Sequence, residues 1–313
     1  MSGHNGRVVV FAPSPQLTVT VEDLNGEPDI HVHPGGQGVW QARMITSLGV
    51  GVVLCGTVGG ETGHVLQHLV DDPAIETQLL HVDARNGAYV HDRRDGSRDE
   101  LVEMPAGELS RHDLDDLYEL TLTHALDAGI ALLSGPSNDR VLPHSLYRRL
   151  TEDLTVNGCR VLADLAGQRL VEVLDGGPSF VKVSHEELID DGRAASGDLA
   201  DLIPAIREIA KCGPEAVVVS RAAEPALALI EDELLTLHVP DLSPVDTRGG
   251  GDSMTAGVAA CLAKGEPLRE ALRVGAAAGA LNITRRGLGT GGGDAIRTLA
   301  ERVELRPLRG SHS

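Results

Sequence analysis

Aromatic side chains are scarce in this chain of 313 residues: two Phe, three Tyr and a single Trp. Its core must therefore be filled by Val, Leu, Ile and Ala, and an apolar content of 42% is enough for a sizeable one. Basic residues are short as well, 27 Lys and Arg against 46 Asp and Glu, for a formal net charge of −19. Nucleic acid and anionic membrane surfaces both demand a basic face, so neither is expected as a partner. An anionic small molecule needs only a local positive pocket and stays open. The four cysteines, Cys55, Cys159, Cys212 and Cys261, lie far apart and form no C-x-x-C pair. They read as buried reduced thiols of a cytosolic protein. No apolar run reaches the roughly 18 residues of a membrane span, and no charged-then-apolar signal precedes the first apolar run. A Walker A sequence, internal repeats and low-complexity tracts are missing too. The tail from Leu305 to Ser313 is basic and polar, and is expected to be loose.

What is present is a change of period along the chain. Arg7–Phe11 is a short apolar run, read as a buried strand. Leu17–Val21 and Ile30–His33 alternate and are read as half-exposed strands, and a second alternating, charged pair near 88–103 turns at Asp95–Gly96. Val39–Leu48 reads as a helix, Val50–Cys55 as a strand, and 63–70 as a helix. After Arg111, helices near 111–126, 142–156 and 199–212 alternate with apolar strands near 129–133, 160–164, 180–183 and 216–220. Strands alternating with helices imply a mostly parallel sheet covered on both faces. Ligands of such sheets bind beyond the carboxyl ends of the strands. Ser134–Gly135, Asp164, Ser184 and Ser220–Arg221 are thereby expected to rim one cleft. The early alternating strands do not fit that sheet, and suit a small β lid over the cleft.

The most informative stretch is Asp246-Thr247-Arg248-Gly249-Gly250-Gly251-Asp252, which runs into the small-residue helix Ser253-Met254-Thr255-Ala256-Gly257. Consecutive glycines let backbone N–H groups turn toward one point. A helix N-terminus adds partial positive charge there, so phosphate suits the site. Asp252 falls on the first turn, where a carboxylate can accept a proton from an attacking hydroxyl. On local chemistry alone, the same glycines could simply turn a corner. Two weaker patterns carry less. Gly287–Gly292 fits G-x-G-x-x-G but follows no strand, so it does not read as a dinucleotide site. His31 and His33 share a strand face but lack a third ligand for a metal, and the histidines otherwise read as scattered over the surface.

D-T-x-G-x-G-D followed by a small-residue helix resembles the C-terminal signature of the ribokinase-like sugar kinases, the PfkB family. The resemblance covers almost the whole chain. Pro34-Gly35-Gly36-Gln37-Gly38 with Ala42-Arg43 resembles the N-terminal signature, Ser134-Gly135-Pro136 the S-G-S turn, and Lys182-Val183-Ser184-His185-Glu186-Glu187-Leu188 the K-P-N-x-x-E-L segment. Val217–Ser220 followed by Glu224, and Leu281–Thr284, resemble the parts that hold the nucleotide. The run V-T-V-E, then P-G-G and S-G-P, is most similar to the 1-phosphofructokinase and tagatose-6-phosphate kinase branch. The resemblance implies a ribokinase-like three-layer α/β/α fold over residues 1–313, with lid strands near 14–34 and 86–104 inserted over the active-site cleft.

It further implies an ATP-dependent carbohydrate kinase that needs Mg²⁺ and phosphorylates a hydroxyl of a sugar or sugar phosphate. Gly249, Gly250 and Gly251 would be the anion hole and Asp252 the catalytic base. Gln16, Gly35, Gly36, Gln37, Trp40 and Arg85 would face the substrate, Arg85 as a candidate for a substrate phosphate. Ser184, Ser220, Ala222, Glu224, Gly251 and Asn282 would face the nucleotide, and Glu187 would help hold the metal. The implied location is cytoplasmic, and the implied assembly admits a homodimer through the lid. Several positions depart from the family pattern: Gln16 replaces an Asp, Gln37 a Lys, Trp40 and Ser184 each an Asn, and Ala222 and Pro225 glycines. They keep a second expectation in play, a catalytically weak or inactive sugar- or nucleotide-binding regulatory protein. Two bland readings also remain: Trp40 as a core residue, and Glu187 as a solvated acid on a helix's first turn.

Overall fold

A computed structural model describes residues 6–70, 72–96 and 98–308. In chain order its first elements are β1 (Arg7–Ala12), β2 (Gln16–Leu24), β3 (Glu27–Gly35), α1 (Gln37–Ser47), β4 (Gly51–Val58), α2 (Gly60–Leu69), β5 (Ile75–His81), β6 (Ala88–Asp92), β7 (Asp99–Met104) and α3 (Arg111–Ala128). The chain continues through β8 (Ile130–Ser134), α4 (Ser145–Val156), β9 (Arg160–Asp164), α5 (Gly167–Gly176), β10 (Phe180–Ser184), α6 (His185–Asp190) and α7 (Leu199–Ala210). It ends with β11 (Ala216–Arg221), β12 (Glu224–Ile230), β13 (Glu233–His238), α8 (Gly250–Ala263), α9 (Leu268–Asn282), α10 (Gly293–Ala300) and β14 (Glu304–Pro307).

β1 shows why the layers form. Val8, Val9, Val10 and Phe11 are all fully buried, as a strand covered on both faces requires. Val8 and Val10 pack with residues of α1, α8, α9 and α10, while Val9 and Phe11 pack with α3 and α4. A further cluster joins α5, α6 and α7 to β10, β11 and β12. The result is a three-layer α/β/α body around a ten-stranded sheet, in the order β14-β13-β12-β11-β10-β9-β8-β1-β4-β5. Strands β11 through β5 pair in parallel, and β12, β13 and β14 add an antiparallel edge. As expected from composition, the interior is almost wholly aliphatic; Phe11, Phe180 and Tyr147 are the aromatic rings among its largest fully buried side chains.

A separate four-stranded sheet runs in the order β3-β2-β6-β7. Its two hairpins are antiparallel, and β2 pairs with β6 in parallel. It occupies the two stretches where the alternating pattern set strands apart.

Three expectations need correction. Leu305 belongs to β14, which pairs with β13, so the tail is ordered as far as Leu308; residues 309–313 lie outside the described residues. Cys212 is exposed, unlike the other three thiols, because it follows α7 in the surface turn before β11. The histidines are not all on the surface: His91 is buried on β6 and shares a hydrogen bond with the hydroxyl of Thr20.

Candidate active site

The sheet order reverses between β1 and β8. β8, β9, β10 and β11 extend one way, and β4 and β5 the other. Such a switch point opens a crevice at the carboxyl ends of the strands. A cavity of about 300 Å³ lies there, beside Ala12 at the end of β1 and Asp164 at the end of β9. Register brings the strand ends level, with Ser134 beside Asp164 and Ser184 beside Ser220. Gln16, Gly36, Gln37 and Trp40 close the cavity from β2 and the start of α1, Gly135–Ser137 from the segment after β8, and Glu187 from α6. Gly35 is buried just behind, where β3 meets Thr18.

Gly249 takes a left-handed backbone (φ 69°), which turns the chain into α8; the glycines and Asp252 stand behind the cavity lining and meet it through Gln37. No side chain caps α8, so its first-turn N–H groups are left for an external acceptor. The lack of a side chain on Gly251 lets the ammonium of Lys182 lie where a Cβ would otherwise meet it. The result is a backbone cradle with a cation against it, which fits a phosphate group.

Asp252, half-buried on the first turn, is held by Gln37, which the resemblance gave to the substrate instead. Gln37 Nε2 donates to Asp252 Oδ1 at 3.1 Å and to the Asp164 carbonyl at 3.1 Å. Its Oε1 accepts from the Gly135 N–H at 2.8 Å, which fixes the amide's orientation. Behind it sits a buried polar network. Lys182 Nζ lies 3.0 Å from Asp164 Oδ1, and Asp164 Oδ2 accepts from Thr255 Oγ1 at 2.9 Å and from Gln41 Nε2 at 3.3 Å. Ser134 Oγ completes it by donating to Gln41 Oε1 at 2.5 Å. Burial together with the charge of Asp164 pushes Asp252 up to about 7, against the opposing pull of Lys182 and of the Gln37 hydrogen bond. Burial works against charge on Lys182, but Asp164, Glu187 and Asp252 hold its pKa above the ordinary value. A carboxylate near neutrality is suited to proton transfer at physiological pH.

The remaining candidates are spread more widely. Ser184 and Glu187 close on each other in a capping box: the Glu187 N–H donates to Ser184 Oγ at 3.1 Å, and Glu187 Oε2 accepts from the Ser184 N–H at 2.6 Å. Glu187 thus caps α6 and also lines the cavity. Among the described residues no cluster of three His, Cys, Asp or Glu is placed to hold a metal. A Mg²⁺ ion would fit here with Glu187 as its protein carboxylate, and with phosphate oxygens and water as its other ligands. Asn282 is buried with both ends of its amide engaged: Nδ2 donates to the Arg248 carbonyl at 2.8 Å, and Oδ1 accepts from the Gly289 N–H at 3.0 Å. It ties the loop before α8 to the loop after α9. Ser220, Ala222 and Glu224 sit at the β11–β12 hairpin, with Ala222 at φ 47°. Arg85 is exposed, donates to the Pro105 carbonyl at 3.4 Å and is not among the cavity-lining residues. Asp164 was expected only as part of the cleft rim and Lys182 only as part of a motif, while Gln41 and Thr255 carried no expectation, because each is an ordinary strand or helix residue until the sheet register brings them together.

A parallel sheet with its cavity at the switch point, a glycine-led helix beside it and a small detached sheet are features of the ribokinase-like α/β proteins. The chain belongs to the pfkB family of carbohydrate kinases, whose family model matches residues 10–293. It is 28% identical over 289 residues to 1-phosphofructokinase of Bacillus subtilis (strain 168), covering 90% of this chain and 93% of that one. Phosphofructokinase-2 of Escherichia coli, solved in complex with potassium, superposes with a TM-score of 0.81 at 25% identity, over 95% of this chain and 98% of that one. Ribokinase of Arabidopsis thaliana, solved with ribose and ATP, shares the fold at a TM-score of 0.71 and 20% identity, over 94% of this chain and 98% of that one. The protein is a sugar kinase of this family, and kinases of the family use ATP.

Proposed function

We propose that the protein transfers the γ-phosphoryl group of ATP to a hydroxyl of a sugar or sugar phosphate, with Asp252 as the base. The observation that carries this reading is the position of Asp252: directly after the uncapped glycine turn and hydrogen-bonded through Gln37 to the cavity wall. ATP supplies the phosphoryl group, and Mg²⁺ offsets the charge on its phosphates. Asp252 takes the acceptor's hydroxyl proton as that oxygen forms its bond to phosphorus. The N–H groups of Gly250 and Gly251, with Lys182 against Gly251, stabilise the charge on the phosphoryl oxygens. Gln37 holds Asp252 and Gly135 in one frame, so the acceptor meets a fixed base. Trp40 supplies a flat apolar wall and one N–H donor to the acceptor, and Gln16 a neutral hydrogen-bonding group. Glu187 would help hold Mg²⁺, and the Ser220–Glu224 hairpin would bound the nucleotide.

The small sheet supports a homodimer. Its buried face carries Thr18, Thr20 and His91, while Ile30, Val32 and Val102 are exposed. Cross-strand register aligns Val21 with Ile30, Val19 with Val32, and Val90 with Val102. An apolar outer face of this kind suits burial against a second copy. Reduced thiols, and the lack among the described residues of any helix able to cross a membrane, agree with a cytoplasmic enzyme.

The experiment is a phosphotransfer panel of sugars, sugar phosphates and nucleosides, run with the wild type and Asp252→Asn. Turnover by the wild type that collapses in Asp252→Asn is expected. The capping box that occupies Ser184 and Glu187 favours one rival, a regulatory protein that binds sugar without turning it over. No turnover with any acceptor, together with equal sugar binding by wild type and Asp252→Asn, would establish that rival.

A further inference from the structure

We propose that Arg169 selects an acceptor bearing an anionic group, phosphate or carboxylate, at the Gly135–Pro136 end of the cavity. The inference rests on reading the cavity as the acceptor site. Arg169 is the single Lys or Arg among the residues that line it. It stands on the first turn of α5, with a side chain only 16% exposed. Two contacts fix its guanidinium: Nη1 donates to the Pro136 carbonyl at 3.2 Å, and Nη2 to Asp139 Oδ1 at 2.6 Å. A guanidinium has five N–H donors, so three remain for a ligand.

Gly135 makes the approach possible, because a Cβ on it would sit 2.7 Å from Arg169 Nη1. Of the other charges lining the cavity, Asp164 is paired with Lys182, and one oxygen of Glu187 accepts from the Ser184 N–H. Asp139, the partner of Arg169, is 73% exposed, so water screens its charge. A pre-oriented planar fork on a cavity wall matches two oxygens of a phosphate or carboxylate. Arg85, the anion-binding candidate of the sequence, turns to the Pro105 carbonyl and leaves that wall to Arg169.

The test measures binding, so it does not depend on turnover. Fructose, fructose 6-phosphate, fructose 1-phosphate and gluconate are titrated by calorimetry into wild type, Arg169→Gln, Arg169→Lys and Arg85→Gln. The wild type is expected to prefer anionic ligands to fructose. In Arg169→Gln that preference should fall about tenfold or more, the worth of a lost charge-assisted pair, with Arg169→Lys in between. The sugar phosphates against gluconate tell a phosphate acceptor from a sugar acid. Equal weakening of neutral and anionic ligands in Arg169→Gln would make Arg169 a structural residue and overturn the proposal. So would a wild type without anion preference, or a loss of preference in Arg85→Gln alone. If phosphotransfer fails while Arg169→Gln still abolishes anion preference, the kinase reading falls and Arg169 stands.

Discussion

Asp252 joins function and stability in one side chain. Burial and the charge of Asp164 disfavour ionisation of its carboxyl and push it up to about 7. If it must be ionised to take a proton, kcat/KM should rise with pH and level off above about 7. Asp252→Asn should lower kcat by about 10²–10⁴, the worth of a general base. The sign for stability is opposite. Between the ordinary carboxylate range and about 7, the folded chain holds a proton that the unfolded chain has lost, so Asp252 makes the fold less stable as pH rises through that window. Asp252→Asn should therefore melt higher than wild type at pH 8, with the gain shrinking toward pH 4; a thermal melt series checks it. Lys182→Met should do the reverse: it leaves Asp164 charged and buried without its partner, at a cost of about 3–5 kcal/mol read from denaturant titration. Ala222 takes a left-handed backbone at φ 47°, so Ala222→Gly should raise stability by up to about 1 kcal/mol.

At the scale of elements, the loop before α8 is tied to the small sheet. Asp246 pairs with Arg93, just past β6, and lies 3.6 Å from Arg98, just before β7. Arg93 also donates to the Arg286 carbonyl at 3.4 Å, and Arg98 lies over the Tyr89 ring at 5.5 Å. The Asp246 side chain is 8% exposed, so the contact is largely shielded from solvent. Asp246→Asn should loosen both partners together. Hydrogen exchange is expected to speed up in the turn between β6 and β7 and in Pro244–Gly249, with α3 and α4 unchanged. Several elements were legible because their period and punctuation agree. α3 begins at a Ser110–Asp113 capping box and ends at Gly129 in the left-handed region, and the pattern placed it within two residues at its end. Others were not. β14 carries Glu, Leu, Arg and Pro, a composition that reads as a loose tail, and only the open edge of β13 makes it a strand. α5 opens at Gly167 without a side-chain cap, so its start had no signal, although it carries Arg169 to the cavity.

For the whole molecule, the small sheet raises the question of assembly. Ile30 is 63% exposed, Val102 54% and Val32 42%, on the face turned away from Thr18, Thr20 and His91. Val32→Glu puts a charge in the middle of that face. If the face joins two copies, light scattering should show a dimer for the wild type and a monomer for Val32→Glu at the same concentration. A wild type that is monomeric at micromolar concentration would remove the dimer. The three-layer body should be indifferent to the change, since its clusters lie on the ten-stranded sheet.

The amino-acid order alone determined the class of fold, because strand and helix periods are local properties of the chain. It also determined the glycine turn into α8 with Asp252 behind it, because those residues are contiguous and their backbone needs are local. Only the tertiary structure decided what surrounds Asp252. Gln37, Gln41, Asp164, Lys182 and Thr255 come from α1, β9, β10 and α8, and they meet because parallel register sets the strand ends level. The same holds for Arg169 and Arg85. No motif of the sequence marks one arginine above the other for this cavity, and packing alone puts one on the cavity wall and leaves the other exposed.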